Sequence, residues 1–164
     1  AVDLARQSGA TPLYIASQKG HVEVVSMLLA AGAAVDLAKD NSATPLLSAC
    51  QRGHIEVAMV LLAAGAAVDL AKLSGATPLF IASQNGHVKV VSILLAAGAA
   101  VNHAVHDGAT PLFSACQRCH VEVARVLLAA GAADVLTALV VDRYVDDTSI
   151  MSSTYIYLPM QEVD

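Results

Sequence analysis

The chain has no tryptophan, and aromatic residues make up only 4% of its 164 positions. Charged residues are also scarce, at 14%. Nine Lys and Arg face fourteen Asp and Glu, a formal net charge of −5, which argues against a basic nucleic-acid grip. Three cysteines are too few, and odd in number, for a framework of paired bridges, so a reducing compartment is expected. Uncharged apolar stretches such as Met59 to Val68 fall well below the ~18–20 residues that cross a bilayer. The opening AVDLARQSGA has no basic stretch followed by an apolar core, so no secretory leader is expected. What remains is an apolar chain with mean hydropathy +0.61, much of it alanine, which is expected to be helical and soluble.

Against this spare composition stands an internal repeat. TPLYIASQKGHVEVVSMLLAAGAAVDLA begins at Thr11, and closely similar segments begin at Thr44, Thr77 and Thr110, each 33 residues after the last. A longer beat of 66 residues overlies it: IASQ occurs at 15–18 and 81–84, SACQR at 48–52 and 114–118. Local physics divides each unit into two helices. Thr11 is placed as an N-cap with Pro12 at the first helical position, where no amide hydrogen bond is lost. Leu13, Ala16 and Ser17 then share a face, and Gly20 stops the helix. A second helix is predicted from about Val22 to Ala31, with Val22, Val25, Leu28 and Leu29 as its apolar stripe and Gly32 at its end. Residues 33–43 read as a loop into the next Thr-Pro-Leu. One helix pair cannot bury its own apolar face, whereas stacked pairs can.

The recurring Thr-Pro-Leu-x-x-Ala, Gly-His, Leu-Leu and Gly-Ala resemble the ankyrin repeat over residues 11 to about 134. The resemblance implies an all-α solenoid of helix-turn-helix units with loop or β-turn fingers. Residues 1–10 match 67–76 and are expected to be the tail of a preceding repeat in a longer array. Repeats are then assigned to 11–43, 44–76, 77–109 and, incompletely, 110–134, with a different C-terminal segment at 135–164. Tyr14, Leu47, Phe80 and Phe113 stand where the family has histidine, so apolar surface is expected in place of its histidine–threonine bonding.

The string Cys116-Gln-Arg-Cys119-His120 is a C-x-x-C-H haem-attachment pattern, but each member has an equivalent in the other repeats. Cys116 corresponds to Cys50, Ser17 and Ser83; Cys119 replaces Gly20, Gly53 and Gly86; His120 is the fourth of His21, His54 and His87. Neither haem nor any other cofactor is expected. Cys119 is expected to be strained by about 1–2 kcal/mol if its position is left-handed, with locally looser or distorted geometry at that helix end. Equivalent histidines in stacked helices lie about 8–10 Å apart, too far to share a metal ion at bonding distance. In the family this histidine bonds within and between repeats. No catalytic triad, paired carboxylates or phosphate loop is visible, so no enzyme activity is expected.

The resemblance implies partner binding through loop tips and exposed first-helix residues. The tips are Gln7-Ser8, Asp40-Asn41, Leu73-Ser74 and His106-Asp107, with Lys39 and Lys72 beside them and Arg52, Asn85 and Arg118 on the helices. The tips differ most among otherwise similar repeats, which suits a binding surface; relaxed selection at solvated loops gives the same variation. The cations there favour an acidic protein partner, and Leu73 is the best apolar anchor. Two alternatives stand beside a cytoplasmic or nuclear interaction scaffold: a recruiting segment of a larger enzyme, channel or regulatory protein, and a substrate of an asparaginyl hydroxylase at Asn102. The segment after Ala133 is expected to be a cap, a peptide docking on a neighbouring copy, or disordered.

Overall fold

In the computed structural model, residues 2–132 are described. They form eight α-helices and no strand: α1 (Pro12–Lys19), α2 (Val22–Ala30), α3 (Pro45–Arg52), α4 (Ile55–Ala63), α5 (Pro78–Gln84), α6 (Val88–Ala96), α7 (Pro111–Gln117) and α8 (Val121–Ala129). The segment expected as a cap, docking peptide or disordered tail lies outside the described residues.

Each first helix starts as its sequence requires. The hydroxyls of Thr11, Thr44, Thr77 and Thr110 accept the amide of the residue three further on, at 3.1–3.2 Å, and a proline fills the first helical position. These threonines hold extended φ/ψ, the conformation an N-cap needs. α1 and α3 end directly on left-handed Gly20 and Gly53, at φ 77° and 74°. α5 and α7 stop one residue earlier, and left-handed Gly86 and Cys119 follow.

Within each repeat the two helices pack on one another. Between repeats α1, α3, α5 and α7 stack in one row, and α2, α4, α6 and α8 in another. The main core runs between the rows. Leu46, Leu61, Leu79, Leu94, Leu112 and Leu127 are each at most 1% exposed, so each contributes about 1.5–3 kcal/mol. A second apolar cluster lies under the fingers and holds Tyr14, Leu47, Phe80 and Ile81 with Ala10, Ala43 and Ala76. This is the apolar surface expected where the family has histidine. Phe113, at the last repeat, is 47% exposed, because no following described finger covers it.

The N-terminal end of the stack shows the same logic in reverse. Val24 is 45% exposed, whereas its equivalents Val57, Val90 and Val123 are essentially fully buried by the repeat before them. The stripe predicted for α2 is therefore buried only at Val25, with Val22, Leu28 and Leu29 half-buried.

Candidate partner-binding face

Four tight turns form the fingers. The amides of Gly9, Ser42, Gly75 and Gly108 donate to the carbonyls of Arg6, Lys39, Lys72 and Val105 at 2.8–2.9 Å. The two central residues of each turn are the pairs assigned as tips from the sequence. Adjacent fingers are joined: Asp40 donates its amide to Ser8, Leu73 to Asn41 and His106 to Ser74, at 3.2–3.4 Å. Two tip side chains also brace their own turns, since Asn41 Oδ1 accepts from Ala43 and Asp107 Oδ1 from Ala109, at 3.1 and 3.0 Å. Ser42 takes the glycine position of its turn at φ 60°.

Gln7, Ser8, Asp40, Asn41, Leu73, Ser74, His106 and Asp107 are exposed, as are Arg52, Asn85 and Arg118; Lys39 and Lys72 are half-buried. Two neighbouring depressions bring several of these residues together. One, of about 360 Å³, is rimmed by Lys72, Ser74, His106 and Asp107 over Phe80 and Ile81. The other, of about 560 Å³, lies between Asn85, Gln117, Arg118 and His120. Gln84 borders both, so fingers and first-helix ends share one continuous side of the molecule. Phe80 and Ile81 were not among the expected site residues. Their signal in the sequence is an aromatic and a β-branched residue next to each other in the first helix.

By repeat equivalence, Arg6, Lys19, Lys39, Arg52, Lys72 and Arg118 all lie on this side. Among the described residues the one ion pair is Glu122 with Arg125, at 3.6 Å on the second-helix row, so these six cations have no carboxylate partner there. Glu23, Glu56 and Glu122 lie in the first turns of second helices, where the helix dipole favours them.

Three further acids and three of the histidines are used between repeats. The carboxylates of Asp3, Asp36 and Asp69 accept the amides of Ala34, Ala67 and Ala100 in the following repeat, at 3.1–3.3 Å. Asn102 holds the fourth such position and is exposed. Nε2 of His54, His87 and His120 lies 3.1–3.2 Å from the carbonyl oxygens of Gln18, Gln51 and Gln84, each in the preceding repeat. A carbonyl only accepts, so Nε2 carries the proton. Each ring lies against a glycine of that repeat: a β-carbon at Gly20, Gly53 or Gly86 would come within 2.7–2.8 Å of the ring.

Cys119 is left-handed, at φ 57°, and exposed. The expected distortion does not occur. The amides of Arg118, Cys119 and His120 reach the carbonyls of Ser114, Cys116 and Ala115, in the same pattern that Asn85, Gly86 and His87 follow one repeat earlier. A side chain fits there because no histidine from a following described repeat lies over it. Cys50, at the small-residue position of α3, is fully buried, and desolvation pushes its thiol up to about 12. Among the described residues no group of three or more His, Cys, Asp or Glu is placed to hold a metal ion.

Comparison with known proteins agrees with this architecture. No curated protein matches the chain. The family model for ankyrin repeats (3 copies) matches residues 1–72 and 61–138, which together span most of the sequence, and the chain belongs to the ankyrin-repeat family.

Proposed function

We propose that this chain is a protein-interaction module that grips an acidic partner along its fingers and first helices. Ankyrin repeats are in general protein–protein interaction modules and typically non-enzymatic. The observation that carries the finer reading is the segregation of charge. Arg6, Lys19, Lys39, Arg52, Lys72 and Arg118 occupy one side without carboxylate partners among the described residues, against Asp40 and Asp107 at its finger tips, while Asp3, Asp36 and Asp69 are turned to bonding between repeats. A partner's carboxylates meet unpaired cations there, which raises the association rate and sets orientation. Leu73, 67% exposed at a finger tip beside this strip, supplies an apolar anchor.

The test is quantitative capture by the immobilised full chain, compared with the variant Arg52→Glu/Lys72→Glu/Leu73→Asp and with Lys89→Glu on the second-helix row as control. Partners should be lost by the triple variant and kept by the control. Equal recovery by all three would remove this face from the function.

A further inference from the structure

The net charge of the chain is not spread over the repeats. Residues 2–132 contain equal numbers of cationic and anionic side chains, so the whole formal charge of −5 falls on residues 133–164. That segment holds Asp134, Asp142, Asp146, Asp147, Glu162 and Asp164 against Arg143 alone. The repeats themselves are neutral only in total, because six of their cations lie on the finger-and-first-helix side. There, Asp40 and Asp107 are the acids on the finger tips, and one oxygen of Asp107 is engaged in its own turn.

We infer that the acidic C-terminal segment is an intramolecular occupant of this cationic side, and that an external acidic partner must displace it. The inference rests on the reading of that side as a binding face. Length permits it. The described chain ends at Ala132, just past α8, at the point from which each earlier repeat runs on to its finger. Thirty-two further residues reach about 100 Å when extended, whereas four stacked repeats span roughly 30–40 Å. Tethering places the segment at an effective concentration on the order of millimolar beside its own face, far above any free copy at ordinary protein concentration. Loosely paired charges are then sufficient for occupancy at physiological salt and are released when salt screens them. The device would set a threshold: weak anionic contacts fail to displace the segment, and a partner with both acidic and apolar contacts succeeds.

Two measurements test this on the whole 164-residue chain. In the first, fluorescein-labelled dodecaglutamate is titrated into wild-type protein and into a variant with Asp134, Asp142, Asp146, Asp147 and Asp164 changed to Asn and Glu162 to Gln. The neutralised variant should bind at least tenfold more tightly. Equal binding by both would overturn the tail's role while leaving the cationic face standing. Binding by neither would remove the face and the inference with it. In the second, zero-length carbodiimide cross-linking is mapped on a mixture of isotopically light and heavy protein. Lys39 and Lys72 should join to Asp142, Asp146 or Asp147 within single chains at every dilution, and the links should vanish near 1 M salt, where the screening length is about 3 Å. Links only between light and heavy chains would assign the segment to a second copy and refute the intramolecular arrangement.

Discussion

Replacing Gly53 by alanine tests the inter-repeat clasp more sharply than removing the histidine does. Gly53 sits at φ 74°, where a β-carbon is strained by about 1–2 kcal/mol. The same β-carbon would come within 2.8 Å of Nδ1 and 2.9 Å of Cε1 of His87. The ring must therefore shift, and its bond to the Gln51 carbonyl, 3.2 Å long, weakens or breaks. A hydrogen bond of this kind contributes about 0.5–1.5 kcal/mol, so Gly53→Ala should destabilise the protein by about 2–3 kcal/mol. In a His87→Ala background the ring is gone, and only the backbone strain remains, about 1–2 kcal/mol. Urea unfolding of the four proteins of this cycle, followed by far-UV circular dichroism, gives the coupling directly. The expected coupling is about 1 kcal/mol. A value below about 0.5 kcal/mol, the usual limit of additivity between independent sites, would show that the glycine is needed for its backbone alone and refute the account of the ring.

Cys119→Gly removes the left-handed β-carbon where no described histidine overlies it, so urea unfolding should show a gain of about 1 kcal/mol; no gain would mean the cysteine is unstrained. Ser17, Ser83 and Ser114 have buried hydroxyls without a hydrogen-bond partner among the described residues, whereas Cys50 fills the equivalent of Ser17 and Ser83. Ser83→Cys should therefore stabilise by about 1 kcal/mol in the same assay, and a loss would show that the hydroxyl is satisfied in solution. Asp36→Ala leaves the Ala67 amide without its carboxylate and should cost about 1 kcal/mol, with amide exchange at Ala67 accelerated; unchanged exchange would exclude the bond. The Cys50 thiol is raised from 9.0 to about 12 by burial, so its folded form holds the proton longer than the unfolded form does. Its contribution is intact below pH 9 and falls between pH 9 and 12, by about 1.4 kcal/mol per unit, and Cys50→Ala should lower the slope of stability against pH in that window.

The helix ends were legible because their causes are local. Thr11 three residues before Tyr14, Pro12 at the first turn and Gly20 at its close act within one turn of the chain, and four in-register copies remove ambiguity. The turn centres came instead from the family resemblance, which mapped the tips onto 7–8, 40–41, 73–74 and 106–107. The clasps were legible only in part: the resemblance implied that the histidines bond between repeats, but not to which carbonyl, and the aspartate bond was not expected. His87 bonds a carbonyl 36 residues before it and Asp36 an amide 31 residues after it, and neither offset can be read from a period of 33 alone. A signal for the second was present: in a chain poor in charge, an acid recurs at Asp3, Asp36 and Asp69. The fit of Cys119 was missed because strain was judged from φ, whereas what lies over that position comes from the next repeat.

Cys119 also shows how a constraint in a stacked protein depends on position along the stack. Gly20, Gly53 and Gly86 each answer two demands, a left-handed backbone and an overlying ring; Cys119 answers only the first. Phe113 follows the same rule, since its equivalents Tyr14, Leu47 and Phe80 are buried by the next finger. Identical local sequence therefore carries different energetic weight at the interior and at an end, and substitutions at interior positions disturb two repeats at once. The finger tips escape this coupling. Their backbone bonds to adjacent fingers hold whatever side chain is present, as Asp40, Leu73 and His106 occupy equivalent places with the same kind of amide bond. Side chains there are free to change charge and polarity without loosening the stack, which is the physical condition for one frame to serve different partners.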